Sequence, residues 1–537
     1  MQGIQNVTSR VKMSQPADIN RPNSPCYTAD AVPIDWFTRF GAGPVVAPLF
    51  ETIAAGFRYY AQRQPDEIAV ICAENQLTYA QLDSAADKLA HVLADKGVKR
   101  GDRVCLFLTR SISMVVGIIA CMRLGAAHVP QHLGVAPEAT LRTILQVTGA
   151  QVILTVSAHA AQVPVTAGQH VIAIDEVMVS EPVTHDPVPD DAAPDDICMV
   201  LFTSGTTGVP NGVQVTHRNL ANVLLTAPGN LGIKPGQKVG QILSIAFDMA
   251  AWETLGCLAN GGTLVIRGAD IQATAERVDV LIATPSILAS LDASRCQNVQ
   301  TVAVAGEPCP RPLADKWGAF CTFYNSCGPT ETTIINTAIQ HEPNKPDLTI
   351  GKPTPNNTVY ILDDDLRPLP FGDKGEMWAG GDCVTAGYLE NDELNTARYR
   401  PDPFRPGQVM FRTRDLGRWT ASGELRHCGR VDDLVKIKGF RVELDGVSRK
   451  IEETPGCDQA VTLKFDNQTL VSFVCPQTVL PEEACASVAA GLPYYCVPKL
   501  VIAMNQLPKT TRGKLDKRRL IVMAQDMIDA ETKVAAQ

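Results

Sequence analysis

Apolar runs of strand length alternate with helical stretches twice along this chain, and that alternation restricts the fold more than any other feature. "RVCLFL" (Arg103–Leu108) reads as a strand and "SISMVVGIIACMRLG" as the helix after it. "EATLRTILQVTG" is helical again, and "QVILTV" and "HVIAID" (His170–Asp175) are strands. A stretch rich in Pro and Asp, Glu181–Asp196, intervenes. The pattern then resumes with "CMVLFT", "VGQIL", "GTLVI", "VLIAT" and "TVAVAG". Runs that are apolar throughout suit strands buried on both faces, so the fold class is α/β, with two α/β subdomains of similar build. From Thr358–Asp365 the texture changes to short strands and Gly/Asp turns, a small β-rich unit. "GRVDDLVKIKGFRVEL" (Gly429–Leu444) opens a last stretch of roughly 100 residues, enough for a separate small α+β domain. The expected organisation is an N-terminal extension over 1–48, a large core over 49–431 with the β-rich unit from about 355, and a small C-terminal domain over 432–537.

Bulk properties exclude several classes. The net charge is −9 with no long basic run, which argues against nucleic-acid binding. The 16 cysteines are scattered without a C-x-x-C pair, as in a cytoplasmic protein with reduced thiols rather than a disulfide framework or zinc site. The N-terminus lacks the apolar stretch of a signal peptide. The most apolar run, Met114–Met122, is too short to cross a bilayer, so no membrane insertion is expected.

"LFTSGTTGVPNGV" (Leu201–Val213) has the composition of a loop that wraps phosphates, yet it holds no lysine or arginine. It is not a Walker A sequence. Its glycines let backbone N–H groups converge on an anion, and its hydroxyls add donors. Taken alone, a Ser/Thr/Gly turn is as often a plain loop.

Context decides. That loop, "YNSCGPTETT" (Tyr324–Thr333), "FRTRDLGRW" (Phe411–Trp419), "GRVDDLVKIKGFRVEL" and "LPKTTRGKLDKRRL" (Leu507–Leu520) together resemble the motifs of adenylate-forming enzymes, in their order and spacing. Within that superfamily the chain looks most like the amino-acid adenylation domains of nonribosomal peptide synthetases. The resemblance implies ATP and Mg²⁺ as cofactors and a two-step reaction. A carboxylate attacks the α-phosphate of ATP, and the acyl group then passes to a thiol. It also implies roles for residues. Thr203, Ser204, Gly205, Thr206, Thr207 and Gly208 would hold the β- and γ-phosphates. Asn325, Ser326, Cys327, Gly328 and Thr330 would border the nucleotide. Glu331 would bind Mg²⁺, Asp415 the ribose hydroxyls, with Arg430 nearby. Lys514 would be the catalytic lysine, and Asp432 the hinge about which the small domain turns, withdrawing Lys514 and bringing the Gly439 segment to the thiol channel. Read singly, these are a helix-start Glu, a turn Asp, a surface Arg and a solvated tail Lys. The chain departs from the family at three points: Asn211 stands where lysine is usual, Cys327 where an aromatic usually stacks on adenine, and Arg414 where glycine is usual.

Asp248 in "AFDMAAWETLGC" reads either as a helix N-cap or, by the resemblance, as the partner of a substrate α-ammonium. The rest of the substrate pocket would be Met249, Trp252, Ile282, Ala303, Ala305, Ser326, Ile334 and Ile335. Asp248 and Lys514 are the only charges expected in it, so a charged substrate side chain would be buried unpaired. The bulk of Met249, Trp252, Ile282 and Ile335 implies a short cavity and a very small amino acid, glycine first and alanine second. The sequence shows no carrier-domain "LGG-x-S" motif and ends soon after Lys514. The expectation is therefore a stand-alone ligase that loads a phosphopantetheinylated carrier protein in trans. Such an architecture resembles the glycine–carrier-protein ligases of lipid A modification, which confers resistance to cationic antimicrobial peptides. The alternatives are a D-alanine–carrier-protein ligase, an acyl-CoA synthetase using free CoA, or a relative that has lost activity.

Overall fold

The structure is a computed structural model that describes residues 40–181, 186–188, 192–203, 210–345, 347–431, 434–508 and 515–535. Ser204, Gly205, Thr206, Thr207 and Gly208 of the expected phosphate loop lie outside the described residues, as do Asp432, Lys514 and most of the expected N-terminal extension.

The first α/β layer is a six-stranded sheet. Its order runs from the edge strand His170–Ala173 through β3 (Val152–Thr155), β1 (Arg103–Leu108), β2 (Ala127–His132) and β4 (Ile197–Thr203) to β5 (Asn211–Thr216). All pairings are parallel except β4 with β5. The expected strand "HVIAID" stops at Ala173, and Ile174–Val179 turns into a helix. Helix α1 (Ile112–Arg123) begins at Ser111, whose hydroxyl accepts the N–H of Met114. It is buried along nearly its whole surface, as its continuous apolar run requires. Its buried Arg123 is neutralised by Asp83 and Asp87.

The second layer is a nine-stranded sheet. At its centre β9 (Thr322–Cys327), β8 (Thr301–Val304), β7 (Val280–Ala283) and β6 (Lys238–Gln241) run parallel, followed by Thr263–Ile266 and Ile68–Cys72. Antiparallel strands close both edges. Helix α2 (His217–Leu224) leaves β5 through a capping box between Thr216 and Asn219. Helix α3 (Asp248–Leu258) packs on the second sheet, and one hydrophobic core joins both layers.

The β-rich unit centres on β10 (Gly375–Gly381), β11 (Val409–Trp419) and β12 (Leu425–Arg430), an antiparallel set with Asn357–Leu362 on the far side of β10. Residues 41–43 pair with it through Val359 and Asn357, which ties the start of the described chain to this unit. Helix α4 (Asp392–Arg398) lies beside β11. The small C-terminal domain has its own apolar core. It opens with the hairpin β13 (Leu434–Ile437) and β14 (Phe440–Glu443), continues into α5 (Leu444–Glu452), and contains a three-stranded sheet over Gln459–Lys464, Leu470–Cys475 and Leu500–Ala503. The architecture is thus α/β: two α/β subdomains, a β-rich unit and a small α+β domain. No helix of the described residues is long and apolar enough to cross a membrane.

Candidate active site

The carboxyl ends of parallel strands are where open α/β sheets present ligands, and most expected site residues fall there. Thr203 ends β4, Asp248 opens the helix that follows β6, Ala305 follows β8, and Cys327 ends β9 just before Gly328, Thr330 and Glu331.

Asp248 is the first helical residue of α3. The N-cap position belongs to Phe247, which makes no side-chain cap bond, so the N-cap reading of Asp248 is off by one residue. Its Oδ1 accepts the N–H of Met249 at 2.7 Å and its Oδ2 accepts the hydroxyl of Thr330 at 2.9 Å. Burial raises the Asp248 pKa, against the opposing pull of the Lys436 ammonium. Burial likewise lowers the Lys436 pKa, while Asp248 supports its charge. Lys436 belongs to β13. Its Nζ lies 3.4 Å, and the Met249 Sδ 3.6 Å, from the point a Cβ on Gly306 would occupy. The expectation that only Asp248 and Lys514 carry charge here is therefore corrected: the hairpin brings Lys436 in as well.

The residues expected to form the apolar wall lie in the interior. Met249, Trp252, Ile282, Ala303, Ala305, Ser326, Ile334 and Ile335 are all buried. Ile282 and Ala303 are direct partners across β7 and β8. Trp252 is 0% exposed and its indole N–H donates to the Gly229 carbonyl at 2.6 Å, which fixes the ring. The Ser326 hydroxyl is buried with no hydrogen-bond partner among the described residues, a polar atom set in an apolar wall. Thr333 and Ile334 both adopt left-handed backbone, at φ 53° and 69°, which is unfavourable for β-branched residues. A bond from the Thr333 hydroxyl to the Cys383 carbonyl, 2.7 Å, holds this turn. Gly328 allows it to close, since a Cβ there would meet the Ile335 Cα at 2.6 Å.

On the nucleotide side, Asp415 on β11 accepts from Arg430 Nη1 at 2.6 Å and lies 3.3 Å from His427 Nε2. Burial works to raise its pKa, but His427 and Arg430 outweigh it and hold the carboxyl below its usual range. Cys327 lies within electrostatic reach of Asp415, Arg430 and Lys436, and burial pushes its thiol up to about 12. It is a neutral, non-stacking group at the position expected to face adenine. Asn325 is turned to a structural task, its amide donating to the Thr349 carbonyl at 2.7 Å. Arg414 sits at φ 63°, in the left-handed region that the family's usual glycine suits, and its carbonyl accepts the N–H of Val431.

Glu331, the expected Mg²⁺ ligand, is 1% exposed. Arg441 Nη1, from β14, lies 3.0 Å from both of its oxygens, and the Tyr388 hydroxyl donates to Oε1 at 2.7 Å. Burial opposes its ionisation, yet Arg441 and Tyr388 hold its pKa below the ordinary value. The described residues contain no group of three or more His, Cys, Asp or Glu side chains fit to hold a metal. Mg²⁺ commonly binds through one carboxylate plus substrate phosphates, so Glu331 fits that role once Arg441 leaves it. The hairpin is further seated by Phe440 against Phe247, ring centres 5.0 Å apart, and by Gly439, where a Cβ would lie 2.9 Å from Thr284 Cγ2. Beside this contact a cavity of about 90 Å³ separates the core (His132, Thr203, Phe247) from the small domain (Val447, Tyr495, Cys496). Sequence reasoning passed over Lys436, Arg441 and Tyr388. The first two stood in the quoted hairpin motif, two positions before and after the loop residues Lys438 and Gly439, and their charge was the available signal.

These features define an adenylate-forming domain, and comparison with known proteins agrees. Residues 57–389 match the family model described as AMP-binding enzyme. The chain belongs to that family. It is 43% identical, over 93% of its length, to adenylate-forming reductase 06235 of Coprinopsis cinerea, and 32% identical over 88% to nonribosomal peptide synthetase 5 of Aspergillus fumigatus. It spans 49% of the first and 21% of the second, so it covers about half or less of these relatives. In fold it matches an artificially fused adenylation–PCP di-domain, NpsA-ThdA from Klebsiella oxytoca, with a TM-score of 0.74 at 23% identity, over 84% of this chain and 93% of that one.

Proposed function

We propose that this chain activates a small α-amino acid, glycine before alanine, as its adenylate, and passes the aminoacyl group to the phosphopantetheine thiol of a carrier protein. The carrying observation is Asp248. Its carboxylate accepts the Thr330 hydroxyl, and a side-chain ammonium, that of Lys436, already lies within its electrostatic reach. A substrate ammonium would find the same carboxylate there, and the Trp252 ring, fixed by its bond to the Gly229 carbonyl, would limit the length of the side chain. Mg²⁺, held by Glu331 and the substrate phosphates, would neutralise phosphate charge during the attack. Lys514 would reach the substrate carboxylate and α-phosphate. Asp415 would accept the ribose hydroxyls, with Arg430 fixing its orientation. Asp432 would let the small domain turn between the two half-reactions, and the seated hairpin is the arrangement that suits thiol transfer.

A second reading concerns the fate of the carrier-bound acyl group. Two relatives at 42–43% identity are adenylate-forming reductases, which favours its reductive release over delivery of glycine towards lipid A. The acceptor on either reading is a thiol, and its source is part of the proposal.

The test is amino-acid-dependent ATP–pyrophosphate exchange over all common amino acids, with wild type and Asp248→Ala. Glycine should give the highest rate, alanine the next, and Asp248→Ala should lower every active substrate together. A preference for acids without an amino group would overturn the reading.

A further inference from the structure

Successive side chains of a strand point to opposite faces, so residues three apart do not share one. His427 and Arg430 of β12 are three apart, yet both meet Asp415 of β11. A β-bulge makes this possible. Asp415 pairs with Arg430 and Gly417 with His427, so Cys428 and Gly429 lie against the single residue Leu416 between those pairs. The extra residue reverses the alternation and turns both side chains to one face. Gly429 carries the bulge at φ 98°, in the left-handed region that glycine adopts without steric cost.

The same glycine fixes the ring. Its backbone N–H donates to His427 Nδ1 at 3.2 Å. An imidazole nitrogen that accepts a hydrogen bond holds no proton, so the ring proton is on Nε2, 3.3 Å from Asp415 Oδ1. Arg430 Nη1 donates to the same oxygen at 2.6 Å. The backbone beneath is held as well: the Asp415 N–H donates to Thr413 Oγ1 at 3.0 Å, and that hydroxyl donates to the Met377 carbonyl at 2.6 Å. A carboxylate oxygen offers about two acceptor sites. Those of Oδ1 are taken by Arg430 and His427, and among the described residues no donor reaches Oδ2. Asp415 keeps 7% of its surface exposed. The open oxygen has as many acceptor sites as a ribose has vicinal hydroxyls.

We propose that His427 is a positioning residue: with Arg430 it holds Asp415 Oδ1, reserves Oδ2 for a vicinal diol, and so makes the site prefer a nucleotide with both ribose hydroxyls over one without them. This inference rests on the adenylation reading above. It deepens that reading by giving His427, a residue without a role there, the task of choosing which oxygen the sugar meets.

The experiment is calorimetric titration of the full chain with Mg-ATP and, separately, with the Mg complex of 2′,3′-dideoxy-ATP, which lacks both hydroxyls. The variants are His427→Asn, whose side chain can still accept the Gly429 N–H but falls short of Asp415, and His427→Gln, whose amide extends as far as Nε2. Wild type should bind ATP about tenfold more tightly than the dideoxy nucleotide, as hydrogen bonds to a charged acceptor imply. His427→Asn should weaken ATP binding about fivefold and dideoxy-ATP binding less than about twofold, and His427→Gln should keep most of the wild-type preference. A wild type that binds both nucleotides alike, equal weakening of both by His427→Asn, unchanged ATP binding in that variant, or a His427→Gln variant as weak as His427→Asn overturns the proposal while leaving the adenylation reading intact. A wild-type chain that binds neither nucleotide overturns that reading, and this inference with it. Should His427→Asn fail to fold by circular dichroism, His427→Ala carries the same discrimination.

Discussion

Helix α3 with strands β7–β9 and the hairpin β13–β14 face one another across the same site, but they are held by different forces. The first region is fixed by burial. Trp252, Ile282, Ala303 and Ile335 are 0% exposed, and even its buried Glu253 is locked by the N–H groups of Ile242 and Leu243. The second is seated by contacts that can be exchanged for others: Arg441 on Glu331, Lys436 near Asp248, Phe440 against Phe247. Close packing has one good solution. Ion pairs and ring contacts at a domain boundary can be broken and replaced by substrate at modest cost. On the function proposed above, the wall would set which acid fits and the hairpin would be the part that moves.

The largest effect should come from breaking the wall. Trp252→Ser with Met249→Ala removes a buried aromatic and its neighbour and should cost about 3–5 kcal/mol of core stability, read by chemical denaturation. A surviving protein should gain exchange with leucine or phenylalanine and lose some rate with glycine. If the widened variant keeps a glycine-only profile, Trp252 and Met249 do not limit the substrate.

Lys514→Ala sharpens the contrast by sparing the fold. Removing a cation at the developing charge should slow adenylation by about 10²–10³-fold, with an unchanged unfolding midpoint. Normal exchange rates in the folded variant would remove Lys514 from the mechanism.

Titration separates the regions further, since Glu253, His128 and His217, all strongly displaced, belong to the core. Burial pushes Glu253 up to about 8 from its ordinary 4.5, against the N–H groups that it accepts. The folded state binds this proton more tightly than the unfolded one, so core stability should fall as pH rises from about 4.5 to 8 and then level off. Glu253→Gln should flatten that decline. Burial pulls His128 down to about 3 and His217 to about 4 from 6.5. Their stabilising contribution is present above 6.5 and should be lost as pH falls towards those values. Thermal unfolding followed across pH 3–9 reads both limbs.

Much of this was legible in the sequence. Continuous apolar runs such as Arg103–Leu108 announced doubly covered parallel strands, and the order of the motifs placed Asp248, Glu331 and Asp415 in one crevice. Less legible was anything set by distance between remote segments. Arg441 and Glu331 are 110 positions apart, and nothing local to either predicts their pairing. The N-cap at Phe247 rather than Asp248, and the helix that cuts "HVIAID" short at Ala173, were missed because element boundaries depend on tertiary contacts. Arg414 was visible as a departure, but its left-handed backbone was not.

Asp432→Pro tests the hinge. Fixing φ near −65° should spare adenylation and slow thiol transfer about tenfold or more, measured as exchange and as carrier loading. Equal loss of both would argue against a turn at Asp432. The smallest effect is expected of Arg414→Gly on stability, a gain of about 1 kcal/mol from relief of the left-handed backbone, read by denaturation without ligand.

The contrast between wall and hairpin is tested most directly by hydrogen exchange, followed by mass spectrometry, with and without Mg-ATP. Glu331 cannot serve both Arg441 and Mg²⁺, so nucleotide should release the hairpin. Amides of 434–443 should exchange faster when Mg-ATP is added, while those of 249–258 stay protected. Unchanged protection of the hairpin at saturating Mg-ATP, or parallel loss in both segments, would contradict a fixed wall served by a movable hairpin.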